Sequence, residues 1–466
     1  MIMSQFKSFI VSIVASGLLL ACVSDPPKQS DMLQLALGKT DVLPQWSSGF
    51  SPGKFDELTL GFPLDAQLKK LIQDALVNNL DIRMARTRVD QARGVLTAIS
   101  GTRLPNIGLG GQLGTSTIPT ATSGISGAGL VANWELDLWG RIASASGASQ
   151  SRVEASELDR VYVQQVIAAN VIKSWIAISE AMQQVALSES LLNYAKKQNQ
   201  YLLQGEKVGR NSAQDVSINA ASIDIYQNQL ITYQYQLNQA KRAMEILLGK
   251  YPAAQIDANN VFPNPITEIP AGIPSEIIAR RPDVLAAQQR YNAAFYDVEE
   301  AKKARLPSLK ISGGVGYIQD SAITLSSGIN NPISSLTGSI FVPLFMGGQL
   351  KANQEIKTAK QEEVLGQYAR ASLNALSEVE ATLDNDLKLK NRQNALASQT
   401  NHMAKSVDYE QQKYRVGKSD HFQVLQQEIV LANTKSNLIK ISGDRLRNRV
   451  DLHQSLGGRF IEDVIR

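Results

Sequence analysis

The 466-residue sequence contains one cysteine and three histidines. That scarcity excludes a disulfide framework and a cysteine-based zinc site, and His402, His421 and His453 are too scattered to suggest a metal centre or a catalytic triad. Acidic and basic residues nearly balance, 43 against 47, and are interleaved, so the chain lacks a basic patch of the size that nucleic acid requires. Charged residues at 19% and hydrophobic ones at 43% exclude both a disordered chain and a multi-span helical membrane protein. The run Gly108-Leu109-Gly110-Gly111-Gln112-Leu113-Gly114 has Leu113 where a dinucleotide loop needs its third glycine, and no Gly-Lys-Ser or Gly-Lys-Thr phosphate loop occurs. A protein that is not an enzyme, with no metal and no cofactor beyond a covalent lipid, is expected.

Proline is missing between Pro119 and Pro252 and after Pro343, and glycine is missing between Gly147 and Gly205. Apolar residues recur there at helical spacing, as in Leu376, Val379, Leu383 and Leu387. An unbroken helix from about Ile142 to Glu206 would run on the order of 100 Å at about 1.5 Å per residue. Each long helical pattern ends in a glycine turn, Glu206-Lys207-Val208-Gly209-Arg210 or Tyr414-Arg415-Val416-Gly417-Lys418, and a second helical pattern returns to Gly249 or Gly457. Ser419 or Asp420 suits the cap of the second return. These are αα-hairpins.

What is present at the N-terminus points to export. Lys7 precedes an apolar run from Phe9 to Leu20, too short to span a bilayer but of signal-peptide length, followed by Ala21-Cys22. Leu19-Leu20-Ala21-Cys22 resembles a bacterial lipobox, with a plain signal peptide as the alternative. Acylation of Cys22 would supply a membrane anchor, and Val23, rather than an aspartate, after the cysteine favours outer-membrane sorting.

The rest reads as a duplication. Leu104-Pro105 and Leu306-Pro307 stand 202 residues apart, while Val208-Gly209 and Val416-Gly417, like Leu248-Gly249 and Leu456-Gly457, stand 208 apart. The expected organisation is a signal peptide over 1–21, a tether over 22–60, a first repeat over 61–251, a proline-rich linker over 252–274, a second repeat over 275–458 and a tail over 459–466. Each repeat carries two alternating segments: 107–114 and 130–138, then 309–317 and 336–344. Ser/Thr/Gly-rich loops, Thr115 to Ala128 and Gln319 to Ser335, are expected between them. Such segments fit membrane β-strands or an edge hairpin of a soluble sandwich. In the membrane reading four strands cannot close a barrel alone: two copies would give eight strands with little lumen, three copies twelve with room for a pore. Asn133, Glu135, Asp137 and Lys310 are the expected lumen-facing polar residues, and Pro343 suits a strand end.

Five runs together resemble one family: 133–141 (NWELDLWGR), 273–284 (IPSEIIARRPDV), 304–309 (ARLPSL), 342–350 (VPLFMGGQL) and 414–417 (YRVG). They are similar to the outer membrane factors of tripartite efflux and type I secretion systems, the TolC-like channels, in their OprM/NodT-type lipoprotein branch. The resemblance implies a mainly α protein with a membrane β-barrel. That fold is a homotrimer with a twelve-stranded outer-membrane barrel, four strands per chain, continuous with a twelve-helix periplasmic α-barrel. It also implies a lipid-anchored outer-membrane location, a periplasmic membrane-fusion adaptor meeting the tips at Val208, Gly209, Val416 and Gly417, and an inner-membrane pump. Gate candidates by the same resemblance are Asp215, Asp420, Phe422 and Gln426; where the branch carries an aspartate this chain has Gln426, and Glu428-Ile429 replaces a glutamine-arginine pair. A type I secretion duct and a non-pore periplasmic coiled-coil lipoprotein are the alternative functions.

Overall fold

The computed structural model describes residues 25–38, 43, 45–47, 63–118, 121–257, 261–262, 274–320 and 333–460. The expected signal peptide and Cys22, part of the tether and linker, the 321–332 segment and the end of the tail lie outside them.

The element order repeats. Helices α1 (Gln29–Leu37) and α2 (Ala66–Asn78) precede α3 (Leu80–Gly101), β1 (Asn106–Ile118), β2 (Ala121–Leu136), α4 (Arg141–Lys207) and α5 (Ala213–Leu247). After the short α6 (Pro274–Arg280) come α7 (Pro282–Lys303), β3 (Ser308–Asp320), β4 (Ile333–Phe341), α8 (Gln349–Arg415) and α9 (His421–Ser455). Both long helices have 67 residues and both return helices have 35. Helix α4 exceeds the expected span by one residue at each end, because nothing between Gly140 and Val208 interrupts its hydrogen-bond ladder. Its apolar stretch is long enough to cross a membrane, but 56% of that stretch is buried inside the protein, as in a core helix.

The chain packs as two compact units, 1–40 with 86–158 and 285–371, and 41–85 with 159–284 and 372–466, so each draws on both repeats. In the first unit the four strands form one antiparallel sheet in the order β1-β2-β3-β4. Register decides its two faces. Leu109, Leu130 and Val315 align across the sheet, as do Leu136, Leu309 and Ile340, whereas Glu135, Lys310 and Ser339 fall on the opposite face. In the same unit α4 crosses α7 closely: a Cβ on Gly147 would lie 3.3 Å from the Tyr296 ring, and Arg152 reaches Asp297 at 2.5 Å.

The strands correct three expectations. The first hairpin is longer than its alternation suggested, because β1 and β2 pair without a break to Ile118 opposite Ala121, within the supposed 115–128 loop. Small residues erase the side-chain pattern without removing the backbone groups that make a ladder. The second hairpin likewise continues as strand through Asp320 and resumes at Ile333. Finally, β2 stops at Leu136 and β4 at Phe341, so Asp137 and Pro343 lie beyond strand ends. A proline cannot donate to the ladder.

The second unit is held by layered helix packing. Leu68 and Ile72 of α2 bury against Ile167, Ile172, Trp175 and Ile176 of α4, with Met244, Leu248, Leu446 and Val450 closing the cluster. A smaller cluster joins Trp46, Ile277, Val379, Leu383, Leu452 and Leu456. Each fully buried Leu or Ile contributes roughly 1.5–3 kcal/mol relative to exposure. Beside the second cluster, Arg281 is buried between Asp283 and Glu378 at 2.8 and 2.7 Å, and it donates to the Ser455 carbonyl at 3.1 Å.

Candidate functional site

Two features carry functional geometry: the two-faced sheet in the first unit and the two helix turns in the second.

On the apolar face of the sheet, Leu109 is 81% exposed and Leu336 82%, more than a water-facing sheet tolerates without a cover. The outer edges, β1 and β4, have no neighbouring strand within the described sheet. On the polar face Asn133 and Lys310 are exposed, and Lys310 sits opposite Glu135 in register. Glu135 is bound by Arg141 at 2.7 Å, and the same guanidinium reaches Glu300 at 3.1 Å. Asp137, expected on that face, instead caps α4: its two carboxylate oxygens accept from the Ile142 and Ala143 N–H groups at 2.9 and 2.7 Å. A carboxylate at a helix N-terminus satisfies orphan donors and faces the positive end of the dipole. Thus Asn133, Glu135 and Lys310 share a face, and Asp137 does not join them.

The two turns are built alike. Gly209 N–H donates to Glu206 O at 3.0 Å and Arg210 N–H to Gly205 O at 2.8 Å; Gly417 to Tyr414 at 3.1 Å and Lys418 to Lys413 at 2.9 Å repeat the pattern. Both are Schellman ends, and both glycines have φ of +73°, a conformation that L side chains resist. The pattern leaves Val208 and Val416 outermost, at 70% and 69% exposed. The returning helices are capped differently. Ser212 and Asp215 form a reciprocal capping box, whereas Asp420 alone accepts from Gln423 N–H at 2.8 Å. Of the four gate candidates, therefore, Asp215 and Asp420 have carboxylates engaged as caps, while Phe422 and Gln426 are exposed.

A polar cluster that the sequence reading did not single out lies further along the hairpins. Glu428 of α9 is buried and accepts from the Tyr194 hydroxyl of α4 and from Gln411 of α8 at 2.9 Å, while Gln198 donates to the Tyr194 oxygen at 2.8 Å. Burial without a cation pushes the Glu428 carboxyl above the usual carboxylate range; burial together with that carboxylate pushes the Tyr194 phenol up. The signal was available: Glu428 shares a helical stripe with Leu425 and Ala432, an odd place for a carboxylate.

A sheet with a lipid-compatible face, a polar reverse face and two open edges, in a chain that also carries two very long αα-hairpins, defines a subunit of an oligomeric membrane duct. The outer membrane efflux protein profile matches residues 71–250 and 273–458, and the chain belongs to that family. The cation efflux system protein CusC of Escherichia coli (strain K12) is 28% identical over 409 residues, covering 85% of this chain and 88% of that protein. The pyoverdine export outer membrane protein OpmQ of Pseudomonas aeruginosa is 27% identical over 486 residues, covering 97% of each. The solved outer-membrane channel OprN shares the fold, with a TM-score of 0.83 at 23% identity over 94% of this chain and 100% of that one. The protein is an outer-membrane efflux channel component with the fold of these channels.

Proposed function

We propose that three copies assemble into a passive export duct of a tripartite efflux system. The observation that carries this reading is the four-stranded sheet, whose apolar face and two free edges call for both lipid and partner strands. Because β1 and β4 run antiparallel in the even-stranded sheet, β4 of one copy meets β1 of the next in the sense that continues the pattern, and three copies give twelve strands. Ile225, Ile231, Tyr235 and Ile246 are exposed apolar side chains on α5 that a neighbouring copy would cover.

In this reading Asn133, Glu135 and Lys310 line the lumen, and the turns at Val208-Gly209 and Val416-Gly417 form the periplasmic tips. A periplasmic adaptor engages the tips and, together with an inner-membrane pump, dilates them. Acyl chains on Cys22 add a lipid anchor. Cargo diffuses through the opened duct, and no chemistry is performed on it.

Detergent-solubilised protein is expected to sediment as a trimer, to show a central hole in negative-stain images and to conduct ions in planar bilayers. A monodisperse monomer without conductance would overturn the proposal.

A further inference from the structure

The second tip holds an imidazole in an unusual setting. His421 is the first residue of α9, 5% exposed, with its ring 6.0 Å from that of Tyr414 at an interplanar angle of 59°. Its Nε2 is buried and has no hydrogen-bond partner among the described residues. Tyr414 in turn donates from its hydroxyl to Asn211 Oδ1 of the first tip at 3.4 Å, and Asn211 Nδ2 donates to the Leu202 carbonyl of α4 at 3.3 Å. His421 therefore anchors a chain of contacts that joins the two tips.

The nearby charges are committed elsewhere. Asp215 of α5 binds the Ser212 amide and hydroxyl at 2.9 and 2.8 Å, and Asp420 caps α9. On α8, Glu410 is taken by Ser419 and by Lys413 at 3.1 Å. An imidazolium here would carry a second N–H donor with no acceptor in place, at the positive end of the α9 dipole. Burial holds the His421 imidazole below its ordinary value of 6.5, against the opposing pull of Asp215 and Asp420.

We propose that His421 is an acid-sensitive latch: neutral, it lets the two tips pack together; protonated, it drives them apart. The proposal rests on the tips being the aperture, as argued above. The sign follows from linkage, because a group that is harder to protonate in the packed state favours the unpacked state as pH falls through 6.5. Protons in the periplasm follow the external medium, so acid outside the cell would loosen the tips without any partner. The class of control is direct protonation of the duct.

The test uses the full-length protein in nanodiscs, with hydrogen exchange of peptides covering 202–215 and 411–424 at pH 7.5 and 5.5, corrected for intrinsic exchange, alongside planar-bilayer conductance. Protection of the native tips should fall severalfold in acid, bounded by about tenfold per pH unit for one linked proton per chain. His421→Phe should stay protected at both pH values, and His421→Arg should be unprotected at both. Should His421→Arg fail to assemble, the phenylalanine comparison decides alone. Unchanged native protection, or an equal acid loss in His421→Phe, overturns the latch. A His421-dependent loss of protection with flat conductance supports the latch and overturns the placement of the aperture at the tips.

Discussion

The two helical hairpins share lengths, turn geometry and the 208-residue glycine offset, yet they bury different things. Helix α5 buries Asn219, Ser222, Tyr226, Leu230, Met244 and Glu245, while α9 buries fifteen residues, among them His421, Glu428, Arg449 and His453. In the first hairpin α5 leaves Ile225, Ile231, Tyr235 and Ile246 exposed; in the second, α9 is drawn inward with charged groups on board. Duplication thus preserved what backbone hydrogen bonds dictate and released what side-chain packing dictates. In the proposed trimer the exposed side chains of α5 would meet a neighbouring copy, while α9 holds more of the buried ionisable groups: His421, Glu428, Arg449 and His453 against Tyr226 and Glu245.

The largest test of this asymmetry is Arg449, 3.4 Å from Asp386 with both side chains nearly inaccessible. Arg449→Leu leaves a buried carboxylate uncompensated, and a loss of about 3–5 kcal/mol is expected, read as a lower thermal midpoint of the solubilised protein. Arg449→Leu with Asp386→Leu should regain most of it; no recovery would show that the pair does more than neutralise itself.

Next come the shared turns. Gly209→Val and Gly417→Val force a β-branched residue into φ of +73°, at a cost of about 1–3 kcal/mol each. Space for a Cβ is open at both glycines, so the two costs should match. A large inequality, or unimpaired assembly and export in Gly417→Val, would break the equivalence of the turns.

A smaller effect is expected at the caps. Ser212→Ala removes half of a reciprocal box and Asp420→Ala a single bond, each worth about 0.5–2 kcal/mol, with loss of amide protection confined to the first turn of the returning helix.

The subtlest test is pH. Burial raises the Glu428 carboxyl above its ordinary 4.5, so the native fold is favoured by its protonation and loses that advantage as pH rises through the raised value. Glu428→Gln keeps an acceptor for Tyr194 and Gln411 without the charge. Its midpoint relative to the native protein should therefore climb as pH rises above 4.5, and a flat difference would mean that Glu428 is solvated in the assembly.

Much of this molecule was legible from the sequence. Wherever the cause lies within a few residues, the sequence was decisive: long helices where proline and glycine are missing, Schellman turns where glycine follows lysine-valine or arginine-valine, and two-faced strands where apolar residues alternate. Neighbouring backbone groups satisfy one another at fixed spacing, and the spacing is written in the chain. Strand ends were less legible, since glycine-rich segments carry no pattern. That Glu428 meets Tyr194 across 234 residues and that Tyr414 reaches Asn211 across 203 were decided by the tertiary structure alone. Burial and partner choice depend on which helices pack together, and only the folded arrangement brings those distant residues within reach of one another.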